Sequence, residues 1–182
     1  MNKIEYMLGA FGDAHLDFKR KEVQIYQKNL EWLEYLNGLL YDIIGSKGRI
    51  FKRDVYVLRK KSKLLFEIIK RTRPDDSLYF VAGFFDSEGS IYASSKSKIP
   101  VLDITQSEKG KVLLEKAMLT LNKIGVRCHL NGPYKHYNSK LPTYHLRIYG
   151  WENLEKFCKH VQVHHPEKLS RITSFRVADP KL

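Results

Sequence analysis

Two acids lie at the junction between an apolar helical pattern and a strand pattern, in residues 80–91, FVAGFFDSEGSI. The small pair Ala82-Gly83 would let a second helix approach closely, and Asp86 and Glu88 follow it, with Gly89 next in line. An acid near a helix C-terminus is electrostatically unfavourable unless a cation faces it. Carboxylate oxygens suit Mg²⁺, which keeps several waters and also takes phosphate oxygens. The pattern therefore favours Mg²⁺, or another divalent cation, and hydrolysis of a phosphodiester.

The elements that would position these acids repeat along the chain. Hydrophobic periodicity predicts a helix, two strands, a helix, two strands and a helix, and then the same order again. The first helix is expected at residues 4–14. We predict an α+β fold of two halves, residues 1–73 and 77–182, joined by a linker at 74–76. The candidate helix caps are Asn29, Gly45, Ser62 and Ser77.

Alternation within the strands predicts a polar, basic face on each sheet. Val126, Cys128 and Leu130 share one side of their strand, and polar residues occupy the other. Such a face could lie in a DNA groove, reading base edges and holding phosphates, although an ordinary solvated sheet alternates in the same way. The candidate DNA-contacting residues are Tyr92, Ser94, Lys96, Arg127, His129, Asn131, His145, Arg147 and Tyr149, with Arg49, Lys52 and Arg53 from the first half.

The chain carries a net charge of +12, from 32 Lys and Arg against 20 Asp and Glu. Residues 1–76 contribute +5 and residues 77–182 contribute +7, so the excess is shared by the halves and favours a polyanionic partner. No apolar run approaches a membrane span and the first residues include acids, so we expect a cytoplasmic protein without a membrane partner. Cys128 and Cys158 are expected to be buried free thiols.

The segment FVAGFFDSEGSI resembles the LAGLIDADG motif of the homing endonucleases, and the repeated order of elements resembles that family over nearly the whole chain. Ile25-Tyr26-Gln27 and Ile104-Thr105-Gln106 resemble the family's strand that ends in Gln. The stretch FCKHVQVHHPEKLSRI resembles its C-terminal segment, in which His-Pro and Lys precede the last helix. Two halves in one chain are similar to the monomeric, two-motif members rather than to the one-motif homodimers.

The resemblance implies a saddle of two pseudo-symmetric αββαββα halves, with the motif helices packed together at its centre. In that family the acids at the ends of these helices bind divalent ions at the scissile phosphates. The resemblance implies that Glu88 is such a ligand and that Asp86 is a structural acid. It implies that Gln106 and Gln27 are catalytic residues beside the centre that orient water or metal-bound ligands. Lys168 would stabilise the transition state, with a phosphate contact or a solvated lysine as the alternative.

The first motif allows two registers. An ungapped register pairs Gly9-Ala10 with the small pair of the second motif and sets His15 opposite Glu88, so that the first acid is missing. A shifted register makes Asp13 the metal ligand but places Met7-Leu8 at the helix crossing. Close packing of the two helices favours the first register, which puts small residues at the crossing. A metal site favours the second, which supplies a carboxylate. A His in place of a carboxylate would remove a charge and an oxygen ligand from a hard-metal site, which would weaken one of the two cuts.

Three functional hypotheses follow. The first is a Mg²⁺-dependent, site-specific endonuclease of the homing type that acts on double-stranded DNA as a monomer. The second is a weakened or inactive relative, a nickase or a maturase-like or domesticated protein, that binds DNA or intron RNA; His15 in the ungapped register favours it. The third, an unrelated ribosome-associated protein, explains the charge but not the doubled pattern.

Overall fold

The computed structural model describes residues 2–95, 97–135, 137 and 140–177. Within this part of the chain, the first half contains α1 (Lys3–Ala10), β1 (His15–Asp17), β2 (Glu22–Gln27), α2 (Leu30–Ile44), β3 (Arg49–Lys52), β4 (Tyr56–Lys61) and α3 (Lys63–Arg71). The second half contains α4 (Leu78–Glu88), β5 (Gly89–Ala93), β6 (Pro100–Ser107), α5 (Lys111–Lys123), β7 (Cys128–Tyr134), β8 (Thr143–Tyr149), α6 (Trp151–His160) and α7 (Pro166–Val177).

The predicted caps stand at the helix ends. The side chains of Asn29, Ser62 and Ser77 each accept a backbone N–H from the first turn of α2, α3 and α4, respectively. Gly45 closes α2 with φ of 71°, a left-handed conformation that glycine adopts without strain. These local signals fix where α2 begins and ends and where α3 and α4 begin.

Each half forms one four-stranded antiparallel sheet. The strand order is β1-β2-β4-β3 in the first, here the N-terminal sheet, and β5-β6-β8-β7 in the second, the C-terminal sheet. The identical order confirms the α+β fold of two repeated halves. The boundary at residues 74–76 stays a prediction.

The halves join where α1 crosses α4. A Cβ at Gly9 would overlap the carbonyl oxygen of Phe80, and a Cβ at Gly83 would overlap that of Tyr6. Only glycine therefore fits at these two places, and the backbones touch directly. The crossing brings the C-terminal ends of both helices to the middle of the molecule.

One hydrophobic core runs through both halves. It contains Trp32 and Leu36 from α2 and Phe80 and Phe84 from α4, all fully buried, together with the inward side chains of both sheets. Burying large aromatic and aliphatic side chains across the crossing stabilises the pair of halves as one unit. Among the described residues, no helix is both long enough and apolar enough to cross a membrane.

Two local predictions are corrected. The first helix ends at Ala10, and residues 11–13 form a turn in which the N–H of Gly12 donates to the Gly9 carbonyl and that of Ala14 to the Phe11 carbonyl. Residues 11–14 are therefore not helical, because these tighter bonds end the helix at a glycine and an aspartate. Cys128 and Cys158 are free thiols, but they are half-buried rather than buried.

Candidate metal centre and nucleic-acid interface

Two carboxylates from opposite halves meet at the ends of the crossing helices. Glu88 is the last residue of α4, and Asp13 lies in the turn after α1. The two side chains are hydrogen-bonding neighbours. Burial, and then the charge of Asp13, raise the pKa of Glu88. Two acids that repel each other in a partly desolvated place would be stabilised by a cation.

The strand register explains why Asp13 is the partner of Glu88. If Gln27 and Gln106 are equivalent, Gln24 corresponds to Asp103, and their partners on the first strand of each half are His15 and Ser90. The residues two positions earlier are Asp13 and Glu88. The two acids thus hold the same place in the two halves.

The helix crossing follows a register that differs by one residue. Gly9 and Gly83 make equivalent contacts, which would set Asp13 level with Ser87 rather than Glu88. The difference arises in the turn after Ala10: Asp13 follows Gly9 by four positions, whereas Glu88 follows Gly83 by five. The ungapped register is therefore wrong: His15 lies in β1, exposed and paired with Gln24, while Asp13 approaches Glu88. The shifted register is not needed throughout either. Gly9, not Met7 or Leu8, lies at the helix crossing, although Asp13 is the partner of Glu88.

Asp86 has a different environment from Glu88. It is fully buried, and its Oδ2 accepts hydrogen bonds from the Tyr6 hydroxyl at 2.6 Å and the His164 backbone N–H at 2.8 Å. Trp32 Nε1 donates to the Tyr6 oxygen at 3.1 Å. Burial raises the pKa of Asp86 to about 6. These contacts support its interpretation as a structural acid that ties α4 to the first half and to the segment before α7.

Lys168 reaches the same helix end from α7. Its Nζ donates to the carbonyl oxygens of Phe85 and Asp86, both at 2.7 Å, so the cation meets the negative end of the α4 dipole. Burial lowers the pKa of Lys168 to about 8, and the Glu88 carboxylate acts against that shift. A cavity of about 200 Å³ opens beside it and is lined by Gly89, Ser90, Ile91, Glu167, Lys168 and Arg171.

The two glutamines lie in equivalent strands of the two sheets, β2 and β6. Gln106 is buried on the inward face of β6 beside Gly110, and its Nε2 has no hydrogen-bond partner. Gln27 is half-buried and accepts the backbone N–H of Lys28 at 2.8 Å. Neither amide hydrogen-bonds to Asp13 or Glu88 in the part of the chain that the structure describes. Their role stays a prediction.

The C-terminal sheet has the predicted polar face. Its register brings together six of the candidate DNA-contacting side chains, from three strands: Tyr92, His129, Asn131, His145, Arg147 and Tyr149. Ser94 follows β5 in a turn, where its hydroxyl contacts Ser97 at 2.5 Å. Arg127 precedes β7, and its guanidinium lies 3.7 Å from Glu152 of α6 rather than over the sheet. Lys96 lies outside the described residues.

The sequence reading missed an acid at the centre of this face. Asp103 lies in β6 between Leu102 and Ile104, and it is only 4% exposed. The sequence could have indicated it, because an acid that alternates with two apolar residues in a strand directs its carboxylate to the polar side of the sheet.

The N-terminal sheet presents a smaller polar face. Arg49 lies on it, paired across the sheet with Arg59, and Arg53 stacks on Phe51 at 5.3 Å. Lys52 lies on the opposite pleat with Ile50 and leans on the Tyr56 ring, 5.6 Å away. Lys52 therefore does not share the face of Arg49, because successive residues of a strand point to opposite sides.

Comparison with known proteins defines the class. Residues 75–162 match the LAGLIDADG-like domain family. The second half therefore carries a LAGLIDADG-like domain, and the chain as a whole has the fold of a two-motif LAGLIDADG homing endonuclease. No curated protein sequence matches the chain.

Among solved structures, the chain is similar to the homing endonuclease I-DmoI. The complex of that enzyme with DNA and Ca is 25% identical, with a TM-score of 0.65 over 92% of this chain and 95% of that chain. Its complex with DNA and Mn is 25% identical, with a TM-score of 0.62 over 89% and 97%. Full-length DUF199/WhiA from Thermatoga maritima shares the fold, at 18% identity and a TM-score of 0.63 over 96% of this chain and 60% of that chain.

Proposed function

We propose that this chain is a site-specific endonuclease of the homing type that hydrolyses phosphodiester bonds of double-stranded DNA with a divalent cation. The observation that carries the proposal is the meeting of Asp13 and Glu88 at the helix crossing. Each half supplies one acid from the same structural place, next to one sheet with a polar face. The related endonuclease I-DmoI has been crystallised with DNA and either Mn or Ca, which supports the same partner and cofactor class here.

The residues at the crossing fit a hard divalent cation. The donor set is two carboxylates, and burial and the charge of Asp13 raise the pKa of Glu88 although Lys168 acts against that rise. Asp13 and Glu88 would hold the cation, with Mg²⁺ as the expected ion. When bound, it supplies Lewis-acid activation of water and of the phosphodiester.

The protein's own groups would supply positioning and charge. Glycine at the crossing holds the two acids at a fixed separation, since any side chain there would push α1 and α4 apart. Lys168 offers a half-buried cation at the same helix end, where it would stabilise charge that develops on a phosphate. The polar sheet faces would hold the duplex on either side through phosphate and base contacts.

The rival function is binding without cleavage. His15 in the ungapped register favoured it, but His15 lies in β1 and Asp13 interacts with Glu88, which supports cleavage over binding alone. A partner of folded intron RNA has no feature of its own to support it. The rival therefore remains only as an outcome of the experiment below.

The experiment is selection of cleaved molecules from a library of randomised duplexes, with Mg²⁺ and with EDTA. The proposal expects Mg²⁺-dependent cleavage at one long sequence and none by the Glu88→Gln variant, which should still bind the selected duplex. Magnesium-independent binding of a selected duplex without any strand cut would instead establish the rival. Sedimentation of the protein with this duplex would test the expected monomer, and a tagged chain the expected cytoplasmic location.

A further inference from the structure

The polar face of the C-terminal sheet is organised around one buried acid. Asp103 Oδ2 accepts a hydrogen bond from Arg147 Nε at 2.9 Å and from the Tyr92 hydroxyl at 3.1 Å. His145 Nδ1 lies 3.0 Å from Asp103 Oδ1, and the Thr105 hydroxyl lies 3.0 Å from the same ring nitrogen. The carboxylate thus holds side chains from the strands on both sides of its own.

A carboxylate is out of place on a surface that only attracts phosphates. It repels the DNA backbone, and by pairing with Arg147 it cancels the cation that would otherwise neutralise a phosphate. A neutral Arg–Asp pair adds little to sequence-independent affinity. The same pair is well suited to a different task, because a guanidinium fixed in orientation presents its remaining donors in one geometry.

Arg147 is fixed on several sides. Its Nε donates to Asp103 at 2.9 Å, and its guanidinium lies 5.9 Å from the centre of the Tyr134 ring. The side chain keeps 26% of its surface exposed, against 6% for Asp103. A guanidinium has more N–H donors than these partners use, so donors remain for a ligand above the sheet.

We infer that Asp103 is a positioning residue that fixes Arg147 for the major-groove edge of a guanine, and so sets sequence selectivity at one base pair rather than overall affinity. Arginine meets the O6 and N7 acceptors of guanine with two parallel hydrogen bonds, which makes this base the natural partner of an oriented guanidinium. The inference rests on the proposed binding of double-stranded DNA.

The test is selection of bound sequences from a randomised duplex library by wild type, Asp103→Asn and Arg147→Lys, each shown to be folded by thermal melting. Wild type should require G at one position. Both variants should lose about tenfold or more of that preference, while their affinity for random duplex does not fall. For Asp103→Asn that affinity should rise slightly, because one negative charge leaves the face.

The matched control is Glu22→Gln. Glu22 is a buried acid of the N-terminal sheet that lies 3.7 Å from Arg59, so any change of preference should fall at another position of the site. Equal loss of affinity for all duplexes by Asp103→Asn, or an unchanged G preference, would overturn the inference and leave the proposed function intact. Failure of the wild type to bind any duplex would overturn both.

Discussion

The carboxyl groups of Asp13 and Glu88 lie within hydrogen-bonding reach of each other although 74 residues separate them in the chain. The contact exists because α1 is shorter than α4 and the turn after Ala10 carries Asp13 the remaining distance. A single centre between two halves follows from it.

Removal of either acid should abolish cleavage and spare binding. Asp13→Asn and Glu88→Gln keep the size of each side chain but remove the charge that would attract the cation, so cleavage should fall on the order of 100-fold or more. His15→Ala is the matched control and should cut like wild type, because His15 pairs with Gln24 in β1 while Asp13 is the residue that acts on Glu88. Gel assays of cutting and filter binding on the selected duplex would measure both. Loss of cutting in His15→Ala alone would restore the ungapped register.

The glycine crossing should tolerate no side chain. Gly83→Ala would force a Cβ into the Tyr6 carbonyl, so the free energy of unfolding should fall by about 3 kcal/mol or more. Gly38→Ala provides the opposite control, since Gly38 lies inside α2 with open space around it and alanine should stabilise that helix by about 0.5–1 kcal/mol. Urea unfolding would measure both changes. Equal small effects at the two glycines would show that the helices do not cross as described.

Acid should weaken the contribution of His165 to stability. Burial lowers the pKa of His165 to about 4 from the usual 6.5, so its stabilising contribution is complete above pH 6.5 and is lost as the pH falls towards 4. The stability difference between wild type and His165→Gln should therefore be larger at pH 7 than at pH 4.5. Urea unfolding of both proteins at the two pH values measures it. A difference for His165→Gln that does not change with pH would contradict the burial of a neutral ring beside Trp32.

Lys168 should matter for cleavage while it carries its charge. Lys168→Met should lower the cleavage rate by about 100-fold with little change in duplex binding, whereas Lys159→Met, at an exposed site on α6, should change neither. Because the pKa of Lys168 is lowered to about 8, the side chain is charged below that pH and neutral above it. The advantage of wild type over Lys168→Met should shrink as the pH rises through 8. An advantage that is constant with pH would mean that the lysine acts only through its two hydrogen bonds to α4.

Local patterns were enough to predict much of the fold. The caps at Asn29, Gly45 and Ser62 are formed by side chain and backbone within one helical turn, so sequence alone carries them. The polar face of the C-terminal sheet follows from period-two alternation, which is also local. The junction of α4 and β5 at Glu88 and Gly89 is local too, because the glycine after the acid begins the strand directly.

Features that depend on several elements at once were not predictable. The place of Asp13 depends on how α1 packs against α4. An ungapped alignment of the two motifs cannot represent the turn after Ala10, which makes the first motif one residue shorter than the second between the glycine and the acid. Lys52 was named beside Arg49 as a candidate DNA contact, whereas pairing with β4 puts the two on opposite pleats, and its contact with DNA stays a prediction. Asp103 went unnoticed because its significance comes from residues of β5 and β8 that only the sheet brings near.

The most direct test of the account is a crystal structure of the protein with its selected duplex and Mn²⁺, recorded at a wavelength where manganese scatters anomalously. The account predicts an anomalous peak between the carboxylates of Asp13 and Glu88, beside a DNA phosphate. A duplex bound across the sheets with no peak at these acids, or with a peak at His15 instead, would contradict it.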